Sequence, residues 1–224
     1  MSQGQLQNAV ALLLSHYGRD VLPVMSPSWQ TLVDVVIDRM KFGSDGYDRI
    51  ENSVLATPAS TSSALVDEIV AALDRVSRAR KKAAVLKALA DWWTVRFGDQ
   101  QHIDADEWCT AAETIRVELR RIRGVGLEMV DRILLCVGGV PAYPLDRGST
   151  RVAGRHGWVG FESEYEEWQS LFVDGCDADP IELLQLSDWL SRVGSEFCGP
   201  KPNCDGCPLE SLLPDAGPYE PDVG

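Results

Sequence analysis

The chain has no apolar run long enough to span a bilayer, no internal repeat, no sustained apolar–polar alternation and no excess of basic charge. A membrane-spanning helix needs about 20 predominantly apolar residues, so the first absence excludes one. Residues Met1 to Asn8 also lack the basic start and cleavage signal of a secretory leader. A cytoplasmic protein with no membrane partner is expected. Without β-type alternation, the 45% apolar content falls instead into segments spaced near 3.6 residues, which predicts an all-α fold.

The shortage of basic charge is uneven. The 21 Lys and Arg face 34 Asp and Glu, for a net charge of −13. From His156 to Gly224 there are fifteen acidic and two basic residues, so the first 155 are neutral, with nineteen of each sign. Within them, Arg75 to Lys87 holds six basic residues and no acidic one, and Arg116 to Arg155 holds eight basic against four acidic. Beyond the Debye length of about 10 Å the distant acidic third is screened, so such local patches decide what the surface attracts. Arg75 to Lys87 reads either as a DNA contact or as a solvated helix face.

Helical spacing covers 5–17, 29–41, 64–75, 80–96, 107–121, 127–138, 147–156, 162–173 and 181–197. Breaks fall at 23–27, 43–46, 57–63, 98–103, 138–144 and 175–180, where Pro, Gly, Ser and Asn gather. Most tryptophans sit at positions suited to core packing. Cys109 and Cys136 read as buried on helical faces. From Pro214 onward Pro, Gly, Asp and Glu dominate, and a disordered tail is expected over 214–224.

Between two of these helices lies Arg123-Gly124-Val125-Gly126, preceded by Arg116, Arg120 and Arg121. Two glycines one residue apart predict a tight turn, with the next helix opening near Gly126. Its first NH groups then have no partner inside the helix, and with the positive end of the helix dipole they form a site for one phosphate. Such a contact reads no sequence, and the arginines would add salt-dependent attraction. The alternative is that the glycines only cap one helix and let the next pack closely.

Gly124-Val125-Gly126-Leu127-Glu128-Met129-Val130-Asp131, followed by Tyr143-Pro144-Leu145-Asp146, resembles the helix-hairpin-helix and Gly/Pro-Asp signature of the endonuclease III superfamily of base-excision DNA glycosylases. The resemblance covers roughly residues 25 to 213, and the block from the hairpin to Asp146 is its specific part. It implies a two-lobed helical glycosylase fold ending in a cysteine loop, which acts as a monomer on double-stranded DNA carrying a damaged base. The implied layout is a single unit over 1–213. Its central lobe spans about 28–136 and includes the hairpin at 115–136. The second lobe joins 1–27 to 137–197, with the cysteine loop at 198–213.

Candidate site residues follow from the same match. The hairpin grip is Arg123, Gly124, Val125 and Gly126, and the catalytic carboxylate is Asp146, with Glu128 beside it in the motif. Members that also cut the backbone carry a lysine where this chain has Glu128, because an amine is needed to form an imine with the sugar. A carboxylate cannot form one. Gly-x-Gly-x-Glu-x-x-Asp looks more like the branch related to 3-methyladenine DNA glycosylase III, whose members are monofunctional. Without the resemblance, Glu128 is a first-turn acid favoured by the helix dipole and Asp146 a good N-cap. Met40 and Lys41 stand where relatives place a side chain that fills the gap left by a flipped base. The rival reading is a non-catalytic helix-hairpin-helix protein that binds DNA and scans for lesions.

Cys198, Cys204 and Cys207 resemble the superfamily's iron–sulfur loop, Cys-x6-Cys-x2-Cys-x5-Cys, with two departures. The first interval is one residue short, and the fourth cysteine position is Leu213. Cys176 is a poor substitute, since a helix over 181–197 would hold it roughly 25 Å from Cys198 at 1.5 Å per residue. Three possibilities stand: a 4Fe-4S cluster with a non-cysteine fourth ligand, a zinc site completed by His16, His102 or His156, or a loop without metal.

Overall fold

The computed structural model describes residues 3–19, 25–37, 53–74 and 76–220. Met40 and Lys41 lie outside them. Eleven α-helices occur among the described residues: α1 (Gln3–Tyr17), α2 (Trp29–Ile37), α3 (Pro58–Ser63), α4 (Val66–Ala72), α5 (Ala79–Phe97), α6 (Ala105–Thr110), α7 (Ala112–Arg120), α8 (Leu127–Gly138), α9 (Arg147–Arg155), α10 (Tyr165–Gly175) and α11 (Pro180–Glu196). A short 3-10 turn follows at Glu210–Leu212, and no β-strand is present among these residues. The all-α expectation holds.

Two compact units form. One comprises Val24–Val140, the other Met1–Pro23 with Pro141–Gly224.

In the unit Val24–Val140, α8 packs against α2 and α7, and α5 packs against α3 and α4. Trp29, Trp93 and Trp108 are fully buried, with Trp93 near both of the others at ring separations of 5.8 and 5.9 Å. Core packing is therefore the role of Trp29, whose Nε1 donates to the Leu55 carbonyl at 2.8 Å. Trp108 lies so close to α8 that a Cβ on Gly138 would stand 1.9 Å from its Nε1. Only glycine fits there. Cys136 is buried, but Cys109 is exposed, contrary to its reading from the sequence.

Residues 57–63 read as a break, yet α3 occupies most of that stretch. Thr57 caps it by accepting from the Ser60 amide at 3.0 Å, and Ser60 Oγ accepts from the Thr57 amide at 3.2 Å. This capping box and Pro58 at the first helical position start a helix that has no apolar periodicity to advertise it. The single helix expected over 107–121 is interrupted at Ala111, which separates α6 from α7.

In the other unit, α9 packs against α11, while α1 lies against α10 and α11. Trp189 Nε1 donates to the Gly18 carbonyl at 3.1 Å, tying the chain after α1 to α11. The segment 214–220 is anchored: the Tyr219 amide donates to the Arg155 carbonyl at 2.9 Å, and Glu220 pairs with the Arg155 guanidinium at 3.2 Å.

Candidate active site

The hairpin is α7, a turn over 121–126, and α8. Gly124 takes φ +94°, a left-handed conformation in which a side chain is strained, and a Cβ there would also stand 3.0 Å from Val85. Gly126 differs. Its φ of −88° suits any residue, and nothing lies within 4 Å of where its Cβ would stand. Protein packing does not demand a glycine at 126.

Gly126 is the N-cap of α8, and no side chain caps this helix. The first intrahelical bond runs from the Val130 amide to the Gly126 carbonyl at 3.0 Å. The NH groups of Leu127, Glu128 and Met129 precede it and have no partner among the described residues. Val125 turns inward and is buried, leaving the backbone at the surface. Arg120, Arg121 and Arg123 are exposed and carry no ion pair among the described residues. Arg116, which the sequence grouped with them, instead pairs with Asp131 of α8, a carboxylate only 1% exposed. It braces the two hairpin helices together.

Glu128 is half-exposed and bonded to Arg132 one turn along α8 at 3.1 Å. That is an ordinary surface pair.

Asp146 ends an irregular strap over 139–146 and is the N-cap of α9. Its Oδ1 accepts from the Ser149 amide at 2.6 Å. Oδ2 has no protein partner among the described residues, so half of the carboxylate is spent on the helix and half is available. Gly148 lies against α11, where a Cβ would meet Gly194 and Ser191 Cα atoms at 3.4 Å. Four further residues surround this site, none of which the sequence marked as functional. Tyr143 is fully buried and stacked on Phe172 with ring centroids 3.9 Å apart, and its hydroxyl donates to Ser149 Oγ at 3.0 Å. Gln169 of α10 bonds both backbone groups of Tyr143.

The cysteine loop closes beside α9. Cys198, Cys204 and Cys207 line one cavity together with His156 and Leu213. Arg155 is buried and donates to the Gly199 and Pro200 carbonyls at 2.6 and 3.0 Å, with a longer contact of 3.4 Å to Cys198 Sγ. Burial first, and neighbouring sulfur second, holds the Cys204 thiol above the ordinary thiol range; burial is also the main cause for Cys207. The ring nitrogens of His156 face the Val152 and Leu209 carbonyls at 2.8 and 3.2 Å, and burial lowers its basicity. Cys176 does not line the cavity, and burial pushes its thiol up to about 12. Among the described residues no three His, Cys, Asp or Glu side chains are grouped so as to hold a metal ion. With Leu213 at the fourth corner, the donor set does not fit a four-thiolate cluster.

No protein-family model matches the chain. The transcriptional activator DEMETER of Arabidopsis thaliana is 31% identical over 107 residues, which are 41% of this chain and 5% of that protein. The chain thus aligns with about a twentieth of that relative's length. A non-covalent endonuclease III–DNA complex superposes with a TM-score of 0.69 at 18% identity over 95% of each chain. The 3-methyladenine DNA glycosylase of H. pylori bound to 1,N6-ethenoadenine gives 0.61 at 13% identity, over 86% of this chain and 97% of that one. The chain has the all-helical fold of endonuclease III and of that 3-methyladenine DNA glycosylase.

Proposed function

We propose that the protein is a monofunctional base-excision DNA glycosylase that hydrolyses the N-glycosidic bond of a flipped, damaged base. The observation that carries this reading is Asp146, whose Oδ1 caps α9 while Oδ2 has no protein partner among the described residues. As the base leaves with the bonding electrons, positive charge develops at the anomeric carbon of the sugar. A carboxylate held beside it stabilises that charge. Water then adds to the same carbon and loses a proton, which leaves an abasic sugar and a free base.

The hairpin supports the DNA-binding half of the reading. Three NH groups without a partner among the described residues, and three exposed arginines, suit a phosphate of the backbone, which positions the duplex without reading its sequence. Met40 and Lys41 remain the candidates for filling the space of the extruded base. Glu128 offers no amine, so the sugar is not captured as an imine and the strand is left whole. The cysteine loop takes no part in the chemistry. The protein works as a cytoplasmic monomer.

Duplexes carrying uracil, mispaired thymine, 3-methyladenine, 1,N6-ethenoadenine or 8-oxoguanine test the proposal. The expected product is free base plus an abasic strand that breaks only in hot alkali. Efficient borohydride trapping of a protein–DNA adduct would end the monofunctional reading. Tight duplex binding with no base released from any substrate would favour the rival, a lesion-scanning protein without catalysis.

A further inference from the structure

The strap over 139–146 is tied to helices only at its ends, where the Gly139 and Val140 amides donate to α8 carbonyls and the Asp146 carbonyl accepts from Thr150, yet it must deliver Asp146 to one place. Between those ends one side chain satisfies both backbone groups of Tyr143. Gln169 Oε1 accepts from the Tyr143 amide at 3.0 Å, and Gln169 Nε2 donates to the Tyr143 carbonyl at 2.5 Å. A single primary amide thus pairs with both groups of one residue, as a neighbouring strand would, three positions before Asp146.

The clamp continues towards the carboxylate. Phe172 lies one turn after Gln169 on α10 and stacks on the Tyr143 ring at an interplanar angle of 14°. The Tyr143 hydroxyl then donates to Ser149 Oγ, and the amide of Ser149 donates to Asp146 Oδ1. Tyr143 and Ser149 are both fully buried, so the bond between them is shielded from water, while Gln169 and Asp146 at the two ends of the chain are half-buried. α10 therefore reaches the candidate carboxylate through two buried residues.

We infer that Gln169 is a positioning residue for Asp146: it locks Tyr143, and through Tyr143 and Ser149 it sets the orientation of the carboxylate. This rests on the reading of Asp146 as the group beside the reacting sugar. Gln169 itself touches neither substrate nor reacting atoms. Its loss should lower the rate of the chemical step while leaving the duplex grip alone, because the hairpin belongs to the other compact unit. Displacement of a catalytic group by about 1 Å can cost on the order of 100-fold in rate.

The test pairs an activity readout with one that needs no activity. Gln169→Leu removes both bonds at similar size; Gln169→Glu keeps the acceptor for the Tyr143 amide and loses the donor. On the base-carrying duplexes above, single-turnover excision should fall about 10- to 100-fold in Gln169→Leu and less in Gln169→Glu. Affinity for a duplex containing a tetrahydrofuran abasic analogue should change less than about twofold. Independently, hydrogen exchange at the Ser149 amide should be at least about tenfold faster in Gln169→Leu, as its bond to Asp146 is released. If Gln169→Leu does not fold, the same comparisons are made with Gln169→Glu. An unchanged Ser149 exchange rate overturns the positioning role whether or not base release is seen. A wild-type protein inactive on every substrate, with Ser149 exchange accelerated in the variant, overturns the glycosylase reading and leaves the positioning intact.

Discussion

Gly148 and Gly194 meet backbone to backbone: a Cβ on Gly194 would lie 2.4 Å from the Gly148 Cα and 3.0 Å from its carbonyl carbon. This contact joins the first turn of α9, which Asp146 caps, to the last part of α11. No rotamer change can relieve it, because both sides are main chain.

Gly194→Ala should therefore push α9 away from α11 and cost about 1–3 kcal/mol, the usual range for overpacking. Excision should slow with it, since Asp146 rides on the displaced turn. Urea melts and single-turnover rates measure the two effects. Unaltered stability and rate would mean that the helices can part without consequence.

The two hairpin glycines should separate stability from binding. Gly124→Ala places a side chain at φ +94° and against Val85, so it should destabilise by about 1–2 kcal/mol. Gly126→Val meets no protein atom within 4 Å of its Cβ, so the fold should tolerate it, while its bulk stands over the uncapped NH groups of α8. Duplex affinity should drop alike for every substrate. A loss confined to one damaged base would place the turn in the base pocket instead.

Asp146→Asn keeps the shape and the capping acceptor but removes the negative charge. Turnover should fall by about 100-fold or more, with DNA affinity nearly unchanged. Wild-type turnover in this variant would exclude Asp146 as the stabilising carboxylate.

Arg155, rather than a metal, should hold the C-terminal loop. Arg155→Met leaves the Gly199 and Pro200 carbonyls without their donor and Glu220 without its cation, a loss of about 3 kcal/mol. The thermal midpoint should fall by roughly 10 °C. Replacing Cys204 and Cys207 together with serine should move it by less than about 3 °C, and elemental analysis of anaerobically purified protein should find far less than four irons per chain. A brown protein with four irons, or one that collapses when the two cysteines are replaced, would reverse this assignment.

Much of the helical layout could be read from the chain because its boundaries carry local marks. Gly126 and Gly139 frame α8, and Asp146 caps α9, so both helices begin where spacing and capping chemistry place them. α3 was missed because polar side chains at Thr57 and Ser60, not an apolar stripe, start it. The environment of Asp146 was illegible for another reason. Gln169 meets Tyr143 across 26 residues, and nothing in the spacing of either marks the other as its partner. Arg116 misled in the opposite direction, since an arginine beside a phosphate-binding turn and one bonded to a buried aspartate look alike in one dimension.

The compact units also impose an order on synthesis. Val24–Val140 is one continuous stretch, so it can collapse as soon as its last residues leave the ribosome. The other unit needs α1 to wait for α10 and α11, which follow it by more than 140 residues. Until then the apolar face of α1 that carries Leu6, Ala9 and Leu13 lacks the helices it packs on, which leaves it open to chaperones and to aggregation during translation.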